Sequence, residues 1–313
     1  MLSVPRSRLA WMAMILLLAL SLAACSGTSR GATPEALGIV VSDGLGREIT
    51  LAAPARRIVS LAPSNTEILF SIGAGGQVVG RDELSDYPAE AFNVTSVGSV
   101  YGTINLEAIV ALDPDLVLLS ELNPAEQIAA LENAGLTTYL VPNPLDFEDL
   151  YANLSTIGQL AGHKEEATAL TAALRQRVAS IEAQVVGTSP VRVYYEVDGS
   201  NPLAPWTTGR GTFQDYLVAR SGGVNVVSEL DGWAQISLEK LIELDPQVIV
   251  FGAGPYVPTT VESLASRDGW QDITALAKGA IYAIDTNWID RPGPRLVDAY
   301  EAMARAIHPE AFE

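Results

Sequence analysis

The chain has 313 residues and a formal net charge of −18, with 19 basic against 37 acidic side chains and a single cysteine. That balance argues against a nucleic-acid partner, which selects a basic face. One cysteine excludes both an internal disulfide and a cysteine-built metal site, and the length favours two domains.

The N-terminus reads Arg6 and Arg8, an apolar run from Leu9 to Leu22, then Leu22-Ala23-Ala24-Cys25. This is a charged region, an apolar stretch too short for a comfortable transmembrane helix, and a small-residue cleavage site. Residues 1–24 are therefore expected to be a signal peptide. Cys25 stands where a bacterial lipobox has its diacylated thiol; the alternative is an ordinary signal peptide with a chance cysteine. Residues 25–36 continue as a small, polar, flexible tether. Without residues 1–24 the chain carries 17 basic and 37 acidic side chains, a net −20, which suits a body held off an anionic membrane surface. No other apolar run approaches 18 residues. The body is expected outside the cytoplasm, in the periplasm or on the outer face, anchored by lipid.

Residues 37–162 read as an α/β lobe. Asp43-Gly44 between Val40-Val41 and Glu48-Ile49-Thr50 predicts a hairpin. Ile58 to Leu61 is strand-like, Ala62 to Asn65 a loop, and Thr66 to Ile72 a helix ending at Gly73; Gly75-Gly76 leads into Val78-Val79. Then comes NLEAIVALDPDLVLL from Asn105, which recurs as SLEKLIELDPQVIVF from Ser237, 132 residues later. Asn105 and Ser237 are good N-cap residues. The Asp-Pro pairs stop each helix, and the apolar runs Leu116–Leu119 and Gln247–Phe251 read as fully buried strands.

Between the copies, Asp149 to Ala161 predicts a helix closed by Gly162. His163 to Val185 predicts a second, apolar at Ala167, Leu170, Leu174, Val178 and Ile181. At 1.5 Å per residue the latter is about 35 Å long, and residues 163–187 are assigned as a linker. Residues 188–313 form a second lobe: strand Val191–Val197, a loop through Asn201–Gly211, a helix to about Arg220, and Gly222-Gly223 leading into Val224–Val227. The expected fold is α/β, two similar lobes with central, mostly parallel sheets joined by one long rigid helix.

Tools for covalent chemistry are missing. His163 and His308 have no ligand-spaced partners and read as surface or capping residues. The Gly-x-Ser-x-Gly match, Gly27-Thr28-Ser29-Arg30-Gly31, falls in the tether rather than between a strand and a helix and so reads as no nucleophile elbow, and Gly73-Ala74-Gly75-Gly76 reads as a turn. No catalytic residue, metal or cofactor is expected. Aromatics instead gather in polar or Gly/Pro-rich loops: Tyr87, Tyr101, Trp206, Trp233 and Trp288, the last followed by Asp290 and Arg291. In open α/β sheets such loops form the ligand crevice. For any one of them, core packing under the loop is the simpler role; the set favours a flat, apolar-faced ligand with polar edges. Tyr101 and Trp233 are expected to face each other across a cleft. Asp290 and Arg291 either bind ligand edges or pair with each other at the surface.

From about Arg57 to Pro309 the chain resembles the substrate-binding lipoproteins of ABC importers for cobalamin, ferric siderophores and haem. The resemblance rests on Ile58-Val-Ser-Leu-Ala-Pro-Ser-Asn-Thr-Glu67, the two Leu-Glu…Asp-Pro motifs and the long connecting helix. It implies a class III periplasmic-binding-protein-like fold with the ligand between the lobes. Asp86-Tyr87-Pro88, the aromatic before Asn105-Leu106-Glu107, the Trp233 loop, and Trp288 with Asp290-Arg291 and Pro294-Arg295 resemble the cobalamin-binding branch. Leu84 departs from it, where an aromatic can stand. The resemblance implies that Tyr101, Trp206, Trp233, Trp288 and Arg291 touch a corrin ring and its amides. It also implies that Glu107 and Glu239, one per lobe, dock a dimeric permease; helix-dipole stabilisation by a first-turn acid is the alternative. The expectation is a monomeric receptor delivering a corrinoid. A ferric siderophore would call on Arg291, Arg295 and Arg210, and haem on Tyr87 or Tyr101 as axial ligand. An enzyme on the same frame is the remote alternative.

Overall fold

A computed structural model of the chain describes residues 38–255, 257 and 259–313. The expected signal peptide, tether and Cys25 lie outside the described residues.

The hairpin forms as the sequence predicts: β1 (Ile39–Ser42) pairs antiparallel with β2 (Glu48–Leu51), Ile39 opposite Leu51. In the first lobe, β3 (Ile58–Ser60) leads into helix α1 (Pro63–Ser71) and then β4 (Val78–Arg81). Helix α2 (Leu106–Ala111) precedes β5 (Leu116–Leu119), and α3 (Ala125–Asn133) precedes β6 (Thr138–Leu140). The four strands lie in the order β4-β3-β5-β6, all parallel. Helix α1 starts earlier than expected. Pro63 takes its first position, where a missing N–H costs nothing, and Ser64 and Asn65 belong to the helix rather than to a loop. The buried Asn65 side chain then donates to Leu119 O at 2.9 Å, tying helix to sheet.

Helix α4 (Phe147–Ala161) is capped by the Asp146 side chain and closed by Gly162 at φ 77°, a left-handed position glycine adopts freely. Helix α5 (Lys164–Val185), 22 residues, follows at once and buries Ala167, Leu174, Val178, Ile181 and Val185. The second lobe repeats the first with an addition. After β7 (Val191–Asp198) come β8 (Trp206–Thr208), α6 (Phe213–Arg220), β9 (Gly223–Asn225), β10 (Trp233–Gln235), α7 (Leu238–Leu244) and β11 (Val248–Ala253). Short helices α8 (Val261–Ala265) and α9 (Thr274–Lys278), β12 (Ile281–Asp285), α10 (Thr286–Ile289) and α11 (Leu296–Ile307) complete it. The parallel part, β9-β7-β11-β12, copies the strand order of the first lobe. The antiparallel pair β8/β10 is attached to the C-terminal end of β7. Trp206 and Trp233 therefore lie on short strands, not in loops; three-residue strands are too brief to show an alternating pattern.

The core explains why the strands read as unbroken apolar runs. Side chains alternate between faces: Leu116 and Leu118 of β5 join a central cluster, Val117 and Leu119 a cluster on the far side. In β11, Val248 and Val250 enter the same central cluster while Ile249 and Phe251 face the outer one. That central cluster also contains α4, α5 and α11. Phe147, at the start of α4, meets Tyr216 and Tyr300 of the second lobe edge-on, with centroids 5.4 and 5.3 Å away. The lobes are thus joined by a shared apolar core as well as by a helix. His308 is buried rather than superficial: its Nε2 lies 3.1 Å from Thr188 Oγ1.

Candidate ligand-binding cleft

The segments that follow the C-terminal ends of the parallel strands meet across the two lobes. From the first lobe come α1 after β3 and residues 82–88 after β4; from the second comes the turn 290–295 after β12 and α10. In open α/β sheets this edge holds the ligand. Glu67, buried on α1, accepts from Arg295: its Oε2 lies 2.8 Å from Nε and 2.7 Å from Nη2, and its Oε1 receives the Arg295 backbone N–H at 3.1 Å. Burial pushes the Glu67 carboxyl upward in pKa, against the pull of Arg295 and Arg291. The Arg295 guanidinium also lies 3.7 Å above the Tyr87 ring, a cation–π contact. Arg291 forms an ion pair with Asp86.

The tight loop before α2 is shaped by Gly98. Its φ is 99°, and a Cβ there would sit 2.3 Å from Thr103 O, so only glycine fits. Asp82, buried beneath, receives Leu84 N–H at 2.9 Å and Val100 N–H at 3.0 Å, holding together the stretches that present Tyr87 and Tyr101. Tyr101 is 72% exposed. Its phenol nevertheless has a raised pKa, chiefly from the protein mass around it and then from the charges of Asp82 and Asp290, opposed by Arg291. The Tyr101 ring makes no stacked or edge-on contact with that of Trp233 among the described residues.

Asp290 and Arg291 do not pair with each other. Asp290 Oδ1 accepts from Tyr195 Oη at 3.2 Å and from Gln214 Nε2 at 3.3 Å, both residues being fully buried. Asp290 as a residue is exposed, while its Oδ1 is engaged by two buried side chains. A Cβ at Gly252 would crowd Thr286 Cγ2 at 2.9 Å and Asp290 Oδ2 at 3.1 Å, so the glycine of β11 leaves Asp290 the room it occupies. Desolvation pushes Asp290 up to about 6, in opposition to the Gln214 and Tyr195 hydrogen bonds and the Arg291 charge.

Trp206 and Trp233 form the second aromatic element. Trp233 pairs with Thr208 and Trp206 with Gln235, so the two indoles are diagonal neighbours on one face of the β8/β10 pair. They are 42% and 48% exposed, unlike Trp270, which is fully buried with Nε1 donating to Pro202 O at 3.0 Å. Trp288, on α10, is half-buried and rests against the central core. Glu107 and Glu239 are exposed in the first turns of α2 and α7, each following a cap: Asn105 accepts from Ala108 N, and Ser237 from Lys240 N. Neither forms an ion pair among the described residues. Also among the described residues, no cluster of three His, Cys, Asp or Glu side chains is placed to hold a metal ion, and no helix is long and apolar enough to cross a membrane.

Sequence reasoning singled out neither Asp82, Glu67, Tyr195 and Gln214 nor the pairing of Arg291 and Arg295 with acids of the opposite lobe. Only the Asn-Thr-Glu67 stretch carried a signal, as part of a motif without a role.

The periplasmic binding protein family matches this chain over residues 58–287. The chain belongs to that family. It is 30% identical over 285 residues to the uncharacterised ABC transporter substrate-binding lipoprotein YvrC of Bacillus subtilis, covering 89% of this chain and 88% of that protein. Among solved structures, the periplasmic vitamin B12-binding protein BtuF of Vibrio cholerae superimposes with a TM-score of 0.70 at 27% identity, over 83% of this chain and 99% of that one. The periplasmic haem-binding protein RhuT of Roseiflexus sp. RS-1 does so with a TM-score of 0.73 at 25% identity, over 82% and 99%. The two-lobed α/β architecture is that of these receptors. The chain is an extracytoplasmic substrate-binding receptor of an ABC import system, in a family of solute binders rather than enzymes.

Proposed function

We propose that the receptor captures a cobalamin-type corrinoid in the cleft and passes it to its importer without changing it covalently. The observation that carries this reading is the charge state of the cleft. The three arginines available to an anionic ligand are already neutralised: Arg291 by Asp86, Arg295 by Glu67, and Arg210 by Asp231 at 2.7 Å. Among the described residues Asp290 has no cationic partner within ion-pair distance. A haem with free propionates or an anionic iron chelate would bring charge to a cleft without a spare cation, a costly burial. An uncharged macrocycle edged with amides would instead meet Trp206, Trp233, Trp288 and Tyr101 through its faces and Asp290 through its N–H groups. Aromatic residues of this size contribute some 150–250 Å² of contact each. Tyr87 and Arg291 would border the same ligand.

On this reading Cys25 carries the lipid that holds the receptor at the membrane, and Glu107 and Glu239 contact the two halves of a permease dimer. Equivalent acids on equivalent helices suit a two-fold partner.

One observation favours haem: the exposed Tyr101 phenol is free to approach an iron. Calorimetric titration with cyanocobalamin, haemin and a ferric hydroxamate in parallel decides between them. One-to-one binding of cyanocobalamin, weakened by Trp233→Ala, is the expected result. Saturation by haemin alone, lost on Tyr101→Phe, would overturn the corrinoid reading and retain the receptor.

A further inference from the structure

Helices α2 and α7, which carry Glu107 and Glu239, are six and seven residues long. Helices that short do not hold themselves in water. Each also ends in a strained residue: Asp113 at φ 46° and Asp245 at φ 39° are the two non-glycine positions with positive φ among the described residues. Both halves of the repeat therefore place an exposed acid on a short helix that must be held from outside.

The same device meets that need in both lobes. Arg57, directly before β3, sends Nε to the carbonyl oxygens of Leu112 and Asp113, both at 3.0 Å, and Nη2 to Leu112 O at 2.6 Å. Arg192, in β7, sends Nη2 to the carbonyl oxygens of Leu244 and Asp245. These are the unpaired carbonyls at the helix C-terminus, where a cation also complements the dipole. The arginines are in turn fixed by equivalent side chains after each Asp-Pro. Asp115 Oδ2 accepts Arg56 N–H at 2.7 Å and Arg57 N–H at 2.9 Å, and Gln247 Oε1 accepts Arg192 N–H at 3.0 Å. β3 and β7 are the corresponding strands beside β5 and β11.

We infer that Arg57 and Arg192 are positioning residues for the importer-facing surface: each braces one acid-bearing helix against its sheet, so that the spacing of Glu107 and Glu239 is set by the protein frame. The inference rests on the docking role proposed for those acids, but its test does not. A guanidinium fork reaching two carbonyls is needed, so lysine, a single point charge, is a poor substitute.

Hydrogen exchange on the full chain reads the brace directly. Arg57→Gln should speed exchange of the α2 terminal amides, Leu112 and Asp113, by roughly tenfold, the scale of one charge-assisted hydrogen bond, and leave those of α7 unchanged. Arg192→Gln should do the reverse at Leu244 and Asp245. Arg→Lys should recover part of the protection. Spin labels replacing Glu107 and Glu239 in a Cys25→Ser chain should show a distance distribution that broadens in the Arg57→Gln/Arg192→Gln double variant. If the double variant does not fold, the single variants still decide. Acceleration on both helices from one substitution marks general destabilisation and overturns the inference, as does no acceleration on either. Failure of the docking reading looks different: substrate uptake would be unaffected by Glu107→Ala and Glu239→Ala while the exchange pattern still appeared.

Discussion

The two lobes share a parallel sheet order, a capped short helix, a left-handed Asp before Pro and an arginine brace, yet they present aromatics in different ways. In the first lobe Tyr87 and Tyr101 stand on irregular backbone, held from below by the buried Asp82. In the second, Trp206 and Trp233 stand on a strand pair appended to β7. The repeated parts define the frame and its outward faces. On the proposed reading the parts that differ line the cleft, which would put ligand choice where the repeat breaks.

Substitutions can break that comparison at several strengths. The largest effect is expected from Arg295→Ala, which leaves Glu67 buried without its cationic partner, a loss of about 3–5 kcal/mol by chemical denaturation. Arg267→Ala is the within-lobe counterpart. It strands Glu196, also buried, whose Oε1 receives Arg267 Nη2 at 2.8 Å, and a similar loss is expected. Only Arg295→Ala should also loosen one lobe against the other, measurable by small-angle scattering.

Next comes the aromatic wall. Trp233→Ala or Trp288→Ala should weaken cyanocobalamin binding by about 2 kcal/mol each, the scale of an interface hot spot, with little change in melting temperature for the exposed Trp233. Calorimetry against both variants reads this. If the first-lobe tyrosines prove more costly to remove than the tryptophans, the division of labour between the lobes is the reverse of the one drawn here.

A pH effect follows from Asp290. Its carboxyl titrates near 6 against an ordinary 3.8, so the folded protein holds that proton more tightly than the unfolded chain. The associated stability is complete below the ordinary value and is lost as pH rises through about 6. Ligand binding should run the other way. Protonation removes an anionic acceptor, so affinity for an amide-edged ligand should fall as pH drops through 6, and Asp290→Asn should flatten that profile.

The smallest contrast lies in the two left-handed aspartates. Asp245 receives Thr274 N–H at 2.7 Å and Thr274 Oγ1 at 2.9 Å, which holds its carboxyl below the usual range. Asp245→Gly should cost about 1 kcal/mol, the value of a helix cap. Asp113 makes no equivalent contact among the described residues. Asp113→Gly should be neutral or slightly stabilising, since glycine relieves the left-handed strain. Thermal unfolding of the pair checks it.

Much of this frame is legible in the sequence alone. The 132-residue echo located both capped helices and both central strands, because N-caps, Asp-Pro stops and buried strands are local signals. The aromatic candidates were legible too, since tryptophan in a polar stretch is uncommon. What sequence could not supply was partnership across distance. In the sequence Arg291 has Asp290 beside it as a candidate partner; its partner in the fold is Asp86, 205 residues earlier, which only the packing of the lobes brings to it. Tyr195 looked like an ordinary strand residue, and nothing local marked Gln214 as the neighbour of a cleft carboxylate.

The Glu67–Arg295 pair also has a consequence in time. Its partners are 228 residues apart, so at about 5–20 residues per second the ribosome makes the acid more than ten seconds before the base. Throughout that interval α1 carries a carboxylate with no arginine to meet it. The contact that fastens the two lobes at the cleft forms only after the last strand of the second sheet has been made. A chain cut short before Arg295 would have both sheets and the helix between them, but not the clasp.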